Sequence, residues 1–333
     1  MDKQKVTIYD VAHQAHVSMA TVSRVVNRNS NVKSATRRKV LRVVNHLHYH
    51  PNAVAQGLAS KRNTTVGVII PNVTDVYFSE LALGIDDIAA MYKYNVVLAN
   101  SDDDPKKEVH VLDTLLTKQV DGIIFMGNEI TNTLRKKFKQ IKPPTVLAGS
   151  IDAKRTVPSV NIDYCQATED EVLHLIHRGN RRIAFVAGSL KQSINADYRL
   201  VGYQRALKRA HLTYDPGLVF ETDRSYKAGY SLRKRIAHSN VTAAMVGNDE
   251  LAAGLMNGLT DLGIKIPDQF EIVTSDDTKL VKMTRPTMSS ITQPLYDIGA
   301  VAMRLLTKIM DKEPVKTKDV LLPYGLIRRN STK

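Results

Sequence analysis

The sequence predicts an α/β protein in which a small helical domain precedes two α/β subdomains. Three observations lead to this prediction: the length of 333 residues, three short helical patterns at the N-terminus, and a later alternation of apolar runs with amphipathic stretches. A chain of this length exceeds the size at which one hydrophobic core usually keeps growing, so two or three domains are expected. The alternation predicts parallel sheets covered by helices.

The composition, with 43% hydrophobic and 24% charged residues, is typical of a globular protein. The apolar runs are far shorter than the roughly 18 residues of a membrane span, and the N-terminus lacks the apolar segment of a secretory signal. A single cysteine, Cys165, excludes an internal disulfide and a multi-cysteine metal site. The sequence therefore predicts a cytoplasmic protein with no membrane association, no metal and no cofactor.

The net charge of +14 is concentrated at one end of the chain. Residues 1–62 contain 11 Lys and Arg against 2 Asp and Glu, a net charge of +9, and five of the ten histidines. Such a basic end is expected of a domain that binds a polyanion. A solvated basic face would produce the same excess, so the local pattern has to decide.

The first helical pattern follows Thr7, and Asp10 stands three residues further on, as in a capping box. A second pattern follows Ser18, and a third begins after Ser34. The first two helices are joined by a tight turn, and the second leaves one face free of the shared core. This is helix-turn-helix geometry.

Two segments, VTIYDVAHQAHVSMATVSRVVN (6–27) and HPNAVAQGLASKR (50–62), resemble the headpiece of the LacI/GalR family of bacterial repressors. The resemblance implies that the second helix enters the major groove of double-stranded DNA and reads bases with Met19, Ala20 and Arg24. A guanidinium can engage guanine O6 and N7 together, so Arg24 is the expected specific reader. Short polar side chains suit phosphate contacts, although capping explains some of them equally well; they are Thr7, Ser18, Thr21, Ser23, Asn27 and Thr36.

The segment 51–62 is predicted to form a hinge helix that begins at Asn52. Because it is short and contains a glycine, it should be marginal alone. In the family this helix pairs with its dimer mate in the minor groove, where Leu58 takes the place of the wedging leucine and Ala55 permits close approach. A linker residue packed on the core is the alternative for Leu58.

Residues beyond 65 alternate between apolar runs and helical patterns. The predicted strands are TVGVIIP, NVVLAN, VDGIIFM, PTVLAG, RIAFVAG, TAAMVGN and EIVTS. The predicted helices lie at about 78–92, 105–118, 164–177, 195–210, 226–237 and 248–262. Two consecutive sets of this kind suggest two similar subdomains that divide near residue 162, each a doubly wound α/β unit.

By resemblance this is a periplasmic-binding-protein-like core, in which the segment 290–310 crosses back into the first subdomain. The predicted domains are a headpiece at 1–50, a hinge helix at 51–62 and a regulatory and dimerisation core at 63–333. The N-subdomain would comprise about 63–162 and 292–320, and the C-subdomain about 163–291 and 321–333.

Ligands of such cores bind between the subdomains, beyond the carboxyl ends of the strands. By position in the family, an effector cleft would be faced by Asp75, Tyr77, Phe78, Arg199, Asn248, Asp249 and Asp276. A purely structural role explains these residues about as well. Where relatives usually have Gly-Phe, this chain has Thr274 and Ser275, which argues against a standard sugar or purine pocket.

A narrower resemblance, in IAAMYKYN (88–95) and TQPLYDIGAVAMRLLTK (292–308), points to the catabolite control regulators of Gram-positive bacteria. Their corepressor is the phosphocarrier HPr phosphorylated on a serine, and they bind palindromic operators as homodimers. Arg304 and Lys308 lie one helical turn apart, a spacing that can grip a phosphate dianion. Tyr296, Ala300 and Met303 would supply apolar area beside them.

Three alternative functions differ in the sequence features that they require. Direct control by a small sugar or sugar phosphate in the cleft is the alternative to a protein corepressor. An enzyme is not expected, because no phosphate-binding glycine loop, nucleophile elbow or zinc motif is present, and no base adjoins Cys165. A sugar-binding transport protein would need a signal sequence and would not need the headpiece.

Overall fold

The structure is a computed structural model that describes residues 6–27, 29–49, 63–127 and 130–333. The chain forms two compact units, with the boundary after Thr64. The predicted hinge helix, with Asn52, Ala55 and Leu58, lies outside the described residues.

The first unit contains the three predicted helices, α1 (Ile8–Gln14), α2 (Met19–Val26) and α3 (Ser34–His46). The predicted capping box at α1 is confirmed: the backbone N–H of Thr7 donates to Asp10 Oδ2 over 2.8 Å, and the Asp10 N–H donates back to Thr7 Oγ1 over 3.4 Å. Ser18 caps α2 by accepting from the N–H of Thr21 at 3.2 Å. Both caps satisfy backbone donors that a helix start leaves without partners.

A small apolar core joins these helices, since Val11, Val22 and Val40 are fully buried against one another's helices. Each helix contributes one or two buried valines to this core, which holds α2 against α1 and α3. The opposite face of α2 therefore faces solvent, as a helix-turn-helix requires.

The second unit contains two six-stranded sheets. The strands in chain order are β1 (Thr65–Ile70), β2 (Asn95–Asn100), β3 (Gly122–Phe125), β4 (Thr145–Ala148), β5 (Ser159–Asn161), β6 (Ile183–Ala187), β7 (Val219–Glu221), β8 (Ala243–Val246), β9 (Glu271–Thr274), β10 (Ser289–Thr292), β11 (Asp319–Leu321) and β12 (Gly325–Ile327). The helices are α4 (Val76–Met91), α5 (Pro105–Thr117), α6 (Asn132–Gln140), α7 (Tyr164–His177), α8 (Leu200–Arg209), α9 (Tyr226–Ala237), α10 (Asp249–Asp261), α11 (Leu280–Met283) and α12 (Leu295–Met310), with a π-helix at Ile194–Arg199 and a 3₁₀ turn at Pro216–Leu218.

The first sheet has the strand order β11-β5-β4-β3-β1-β2 and is parallel throughout. The second has the order β12-β10-β9-β8-β6-β7 and is parallel except for the antiparallel pair β10 and β12. Helices α4 and α12 cover one face of the first sheet, and α5 and α6 the other. Helices α9 and α10 cover one face of the second sheet, and α7 and α8 the other. We call the two sheets with their helices the N-subdomain and the C-subdomain.

The seven predicted strands and the six predicted helices of this unit are all present. Their central strands are fully buried on both faces, which explains why they read as continuous apolar runs. The strands that the sequence did not indicate are three or four residues long, namely β5, β7, β10, β11 and β12. Each of these strands contains only one or two apolar residues and therefore gives a weak apolar pattern.

No helix among the described residues combines the length and apolar character needed to cross a bilayer.

Helices α4 and α12 approach each other unusually closely. A Cβ placed on Gly84 would lie 2.0 Å from the carbonyl oxygen of Tyr296, and one on Gly299 would lie 2.0 Å from the carbonyl oxygen of Leu81. Only glycine leaves room for backbone at that distance, so these two positions set the separation of the helices.

We expect Gly84→Ala to destabilise the core by about 3 kcal/mol, because the added methyl group meets backbone that cannot move aside. Alanine normally stabilises a helix relative to glycine, so the sign of the change is diagnostic. Urea unfolding of the full chain measures it. Asp86→Ala on the exposed face of the same helix is the control and should change stability little; a Gly84→Ala chain as stable as this control would contradict the close crossing.

Candidate nucleic-acid interface and effector cleft

Helix α2 presents the three predicted base-reading side chains to solvent. Met19 is 47% exposed, and Ala20 and Arg24 are also exposed, whereas Val22 and Val25 face the core. Residues 20 and 24 lie one turn apart on the same face, because a helix repeats every 3.6 residues. An unoccupied helix face with a guanidinium at its far end is suited to insertion into the major groove.

The predicted phosphate contacts are exposed or half-buried, and several already take part in local hydrogen bonds. The hydroxyl of Thr7 donates to Asp10 Oδ2 at 2.7 Å, and the hydroxyls of Ser18 and Thr21 lie 2.9 Å apart. The side-chain amide of Asn27 donates to Ser23 Oγ at 3.4 Å. Thr36 is half-buried. These hydroxyls have further hydrogen-bonding capacity, so capping and phosphate contact are compatible.

The charge of this unit is almost entirely positive. Its described part contains Asp10 as the only acidic residue, and the backbone hydrogen bond from Thr7 holds the pKa of that carboxyl below its usual value. Exposed cations on α2 and α3 face solvent without acidic neighbours nearby in sequence; they include Arg24, Arg38, Lys39 and Arg42.

Sequence analysis did not single out Tyr9, whose side chain is 67% exposed on α1.

The second unit contains a cavity of about 990 Å³ between loops of the two subdomains. Of the predicted cleft residues, Asp75 and Phe78 line it. Tyr77, Arg199, Asn248, Asp249 and Asp276 do not belong to its lining and are at most 5% exposed. The lining is strongly acidic, with carboxylates from Asp75, Asp102, Asp103, Glu221, Asp223 and Glu250.

Arg224 is the lining cation that sequence analysis missed. Its guanidinium carbon lies 6.0 Å from the ring centroid of Tyr77 and 5.9 Å from that of Phe78, so it contacts the N-subdomain through two aromatic faces. It stands in the loop between β7 and α9, where no periodic pattern or motif marks it.

Thr274 and Ser275 donate hydrogen bonds to buried carboxyl groups. The hydroxyl of Thr274 donates to Asp249 Oδ1 at 2.9 Å. The hydroxyl of Ser275 donates to the carboxyl oxygens of Glu171 at 2.9 and 3.0 Å. Glu171, which sequence analysis also missed, is fully buried, and burial raises its pKa well above the usual value. Buried polar groups of this kind are stable only when they are hydrogen-bonded.

Burial and the neighbouring charge of Asp249 raise the pKa of Asp276 to about 7, although Arg224 and Arg199 oppose the shift. The side chain of Arg199 donates to Asn195 Oδ1 at 3.1 Å and lies 5.4 Å from the ring centroid of Tyr164. Asp276 therefore lies in a buried network rather than on an open surface.

Helix α12 exposes the predicted basic pair, Arg304 and Lys308, on one face. Tyr296 is 42% exposed, and its hydroxyl donates to Asp87 Oδ2 at 2.9 Å. The prediction that Ala300 and Met303 offer apolar area to a partner is wrong. They are 4% and 0% exposed, because the close approach of α4 and α12 packs them into the core of the N-subdomain.

Helix α4 and the residue after it supply exposed apolar side chains that sequence analysis did not name individually. Leu83 is 56% exposed, Met91 72% and Tyr92 45%. The sequence of α4 does indicate such residues, since an apolar residue that breaks the 3–4 spacing of the buried residues lies on the outer face of the helix.

Cys165 is buried, and burial raises the pKa of its thiol, so it is not an activated nucleophile.

Residues 7–52 match the model of the lacI family of bacterial regulatory proteins, and residues 172–332 match the model of a periplasmic binding protein-like domain. The chain is 56% identical to catabolite control protein A of Streptococcus mutans over 98% of both chains. It is 50% identical to catabolite control protein A of Priestia megaterium over 98% of this chain and 99% of that protein.

Two solved structures of transcriptional regulators are similar to this chain over most of its length. The transcription regulator CcpA of Lactococcus lactis superposes with a TM-score of 0.78 at 47% identity, covering 81% of this chain and 99% of that one. The lac repressor dimer bound to operator and the anti-inducer ONPF gives a TM-score of 0.90 at 28% identity, covering 99% of both chains. The chain therefore belongs to the LacI family of bacterial transcriptional regulators, and within that family it is a catabolite control regulator and not an enzyme.

Proposed function

We propose that this regulator binds pseudo-palindromic catabolite-responsive operators as a homodimer in the cytoplasm, with serine-phosphorylated HPr as its corepressor. Membership of the LacI family implies operator binding and dimerisation. The observation that carries the corepressor assignment is the exposed pair of Arg304 and Lys308 on α12.

In this function Met19, Ala20 and Arg24 read bases, and the hydroxyl and amide groups around them contact phosphates. One α2 helix reads too few bases for a unique site, so two-fold symmetry doubles the sequence that is read. The hinge segment, with Leu58 as the wedge, would occupy the centre between the half-sites. The positive charge of the headpiece supplies attraction that does not depend on sequence.

We expect Arg24→Ala to cost about 1–3 kcal/mol at the base pair that it reads and to relax the preference there. Thr21→Ala should weaken binding to all sequences more evenly, because phosphates carry no sequence information. Fluorescence anisotropy with an operator and its single-base variants measures both. Lys265→Ala, an exposed substitution of the C-subdomain that also removes one positive charge, is the control. An Arg24→Ala chain that loses affinity equally for every variant operator would rule out base reading.

The corepressor surface combines charge and apolar area. Arg304 and Lys308 stand one turn apart, where two cations can share a phosphate dianion. Tyr296 on α12, together with Leu83 and Met91 on α4, provides exposed apolar area of the kind that protein interfaces bury. This set takes the place of Ala300 and Met303 in the surface.

We expect Arg304→Ala to weaken binding of phosphoserine HPr by roughly an order of magnitude, because it deletes a charge-assisted contact. Basal operator binding should change little, since the headpiece is intact. Calorimetry with HPr in unphosphorylated and phosphoserine forms, against wild type, Arg304→Ala and the Lys265→Ala control, makes the comparison. Equal HPr affinities in all combinations would refute the corepressor site. The proposal of operator binding would still stand, because it does not depend on this site.

The cavity of about 990 Å³ favours a second candidate, direct control by a small sugar or sugar phosphate. The six carboxylates of its lining favour an uncharged sugar over a phosphate dianion, because like charges in a concave site repel. Titration with glucose and with glucose 6-phosphate tests this candidate; heat of binding from either one, with altered operator affinity, would support it.

A further inference from the structure

Three carboxyl groups are buried near the carboxyl ends of β8 and β9: Asp249 and Asp276 follow these strands, and Glu171 on α7 accepts a hydrogen bond from Ser275. Glu171, Asp249 and Asp276 are 0%, 1% and 2% exposed. A buried carboxylate is stable only where donors or cations replace the water that it has lost. The three groups differ in the number of hydrogen-bond donors that surround them.

Asp249 accepts three strong hydrogen bonds, from the hydroxyl of Thr274 at 2.9 Å and from the N–H and hydroxyl of Thr278 at 2.7 Å each. Asp276 accepts from the side-chain amide of Gln293 at 3.0 Å and from the N–H of Asp249 at 3.4 Å, which is a long contact. The negative charge is therefore better supported on Asp249, and its presence disfavours a second charge on Asp276.

Gln293 connects Asp276 to the crossover. It lies between β10 of the second sheet and α12, which packs on the first sheet, so it is part of a segment that joins the subdomains. Its amide nitrogen donates to the carbonyl oxygen of Ser275 and to Asp276 Oδ1. Its amide oxygen is buried and has no hydrogen-bond partner among the described residues. A neutral Asp276 carries an O–H, the kind of donor that this oxygen lacks.

Charged and titratable groups surround Asp276 on every element packed against it. Those that interact with it electrostatically are Asp249 at the start of α10, Glu171 on α7, Arg199 on the π-helix, Arg224 before α9, Asp75 and Tyr77 at the start of α4, and Tyr164 on α7. The two guanidinium groups favour the ionised form, yet burial and the carboxyl groups outweigh them, so the pKa of Asp276 is about 7.

We propose that Asp276 and Gln293 form a proton-operated latch at the crossover: a protonated Asp276 holds the subdomains in the described arrangement, and its ionisation favours an open arrangement that hydrates the carboxylate. The direction follows from linkage. Because folding raises the pKa of Asp276, the described arrangement binds this proton more tightly than a hydrated one does. As the pH rises through about 7, stability of that arrangement is lost and the open one gains population.

Hydrogen–deuterium exchange of the full-length wild-type protein at pH 6 and pH 8, corrected for the intrinsic pH dependence of exchange, tests the latch. Peptides covering β10 to the start of α12 should open several-fold more often at pH 8. Asp276→Asn, which is permanently neutral, should stay protected at both pH values. Asp268→Asn, an exposed carboxyl of the C-subdomain, should behave as wild type.

Gln293→Met keeps the side-chain length but removes the amide with its N–H donors and its carbonyl oxygen, so the crossover should no longer follow the protonation of Asp276. This variant carries the test if Asp276→Asn fails to fold. Wild-type crossover peptides whose corrected exchange is the same at both pH values would overturn the proposal. So would an Asp276→Asn or Gln293→Met chain that keeps the full wild-type difference.

Discussion

The close crossing of α4 and α12 is the constraint on which the regulatory core depends. Helix α12 follows a strand of the second sheet, yet the face that carries Gly299 packs directly against α4, which covers the first sheet. This contact fixes where the chain passes between the subdomains and which side chains of α12 remain outside. It buries Met303 and leaves Arg304 exposed one residue later. The same packing thus determines both the path of the crossover between the subdomains and the face of α12 that is offered to a partner.

Sequence alone predicted the parts of the fold that have strong periodicity. Long buried strands such as β1 and amphipathic helices such as α9 were recognised because many residues repeat the same signal. The three-residue strands β5 and β11 were not, since each is stabilised by its neighbours in the sheet and not by its own pattern. Caps at Thr7 and Ser18 were predictable because side-chain chemistry and position act over three residues.

The site was predicted less completely, for a related reason. Residues in local motifs, such as Arg24 on α2 and Lys308 on α12, were found and are exposed. Burial of Met303 depends on a helix that is more than two hundred residues away in sequence, and Arg224 meets Tyr77 only through tertiary folding. Glu171 and Gln293 belong to a hydrogen-bond network that several elements contribute to, and no pattern of neighbouring residues in the sequence predicts it.

The two units carry opposite electrostatic character in the places where ligands would bind. The headpiece is positive, whereas the cavity of the core is lined by six carboxylates. Ionic screening consequently acts on them with opposite sign. Dissolved salt competes with phosphates for the headpiece and weakens its hold on DNA, while the same ions shield the carboxylates from one another and ease their crowding. A rise in ionic strength therefore weakens DNA binding by the headpiece and reduces the repulsion among the carboxylates of the core.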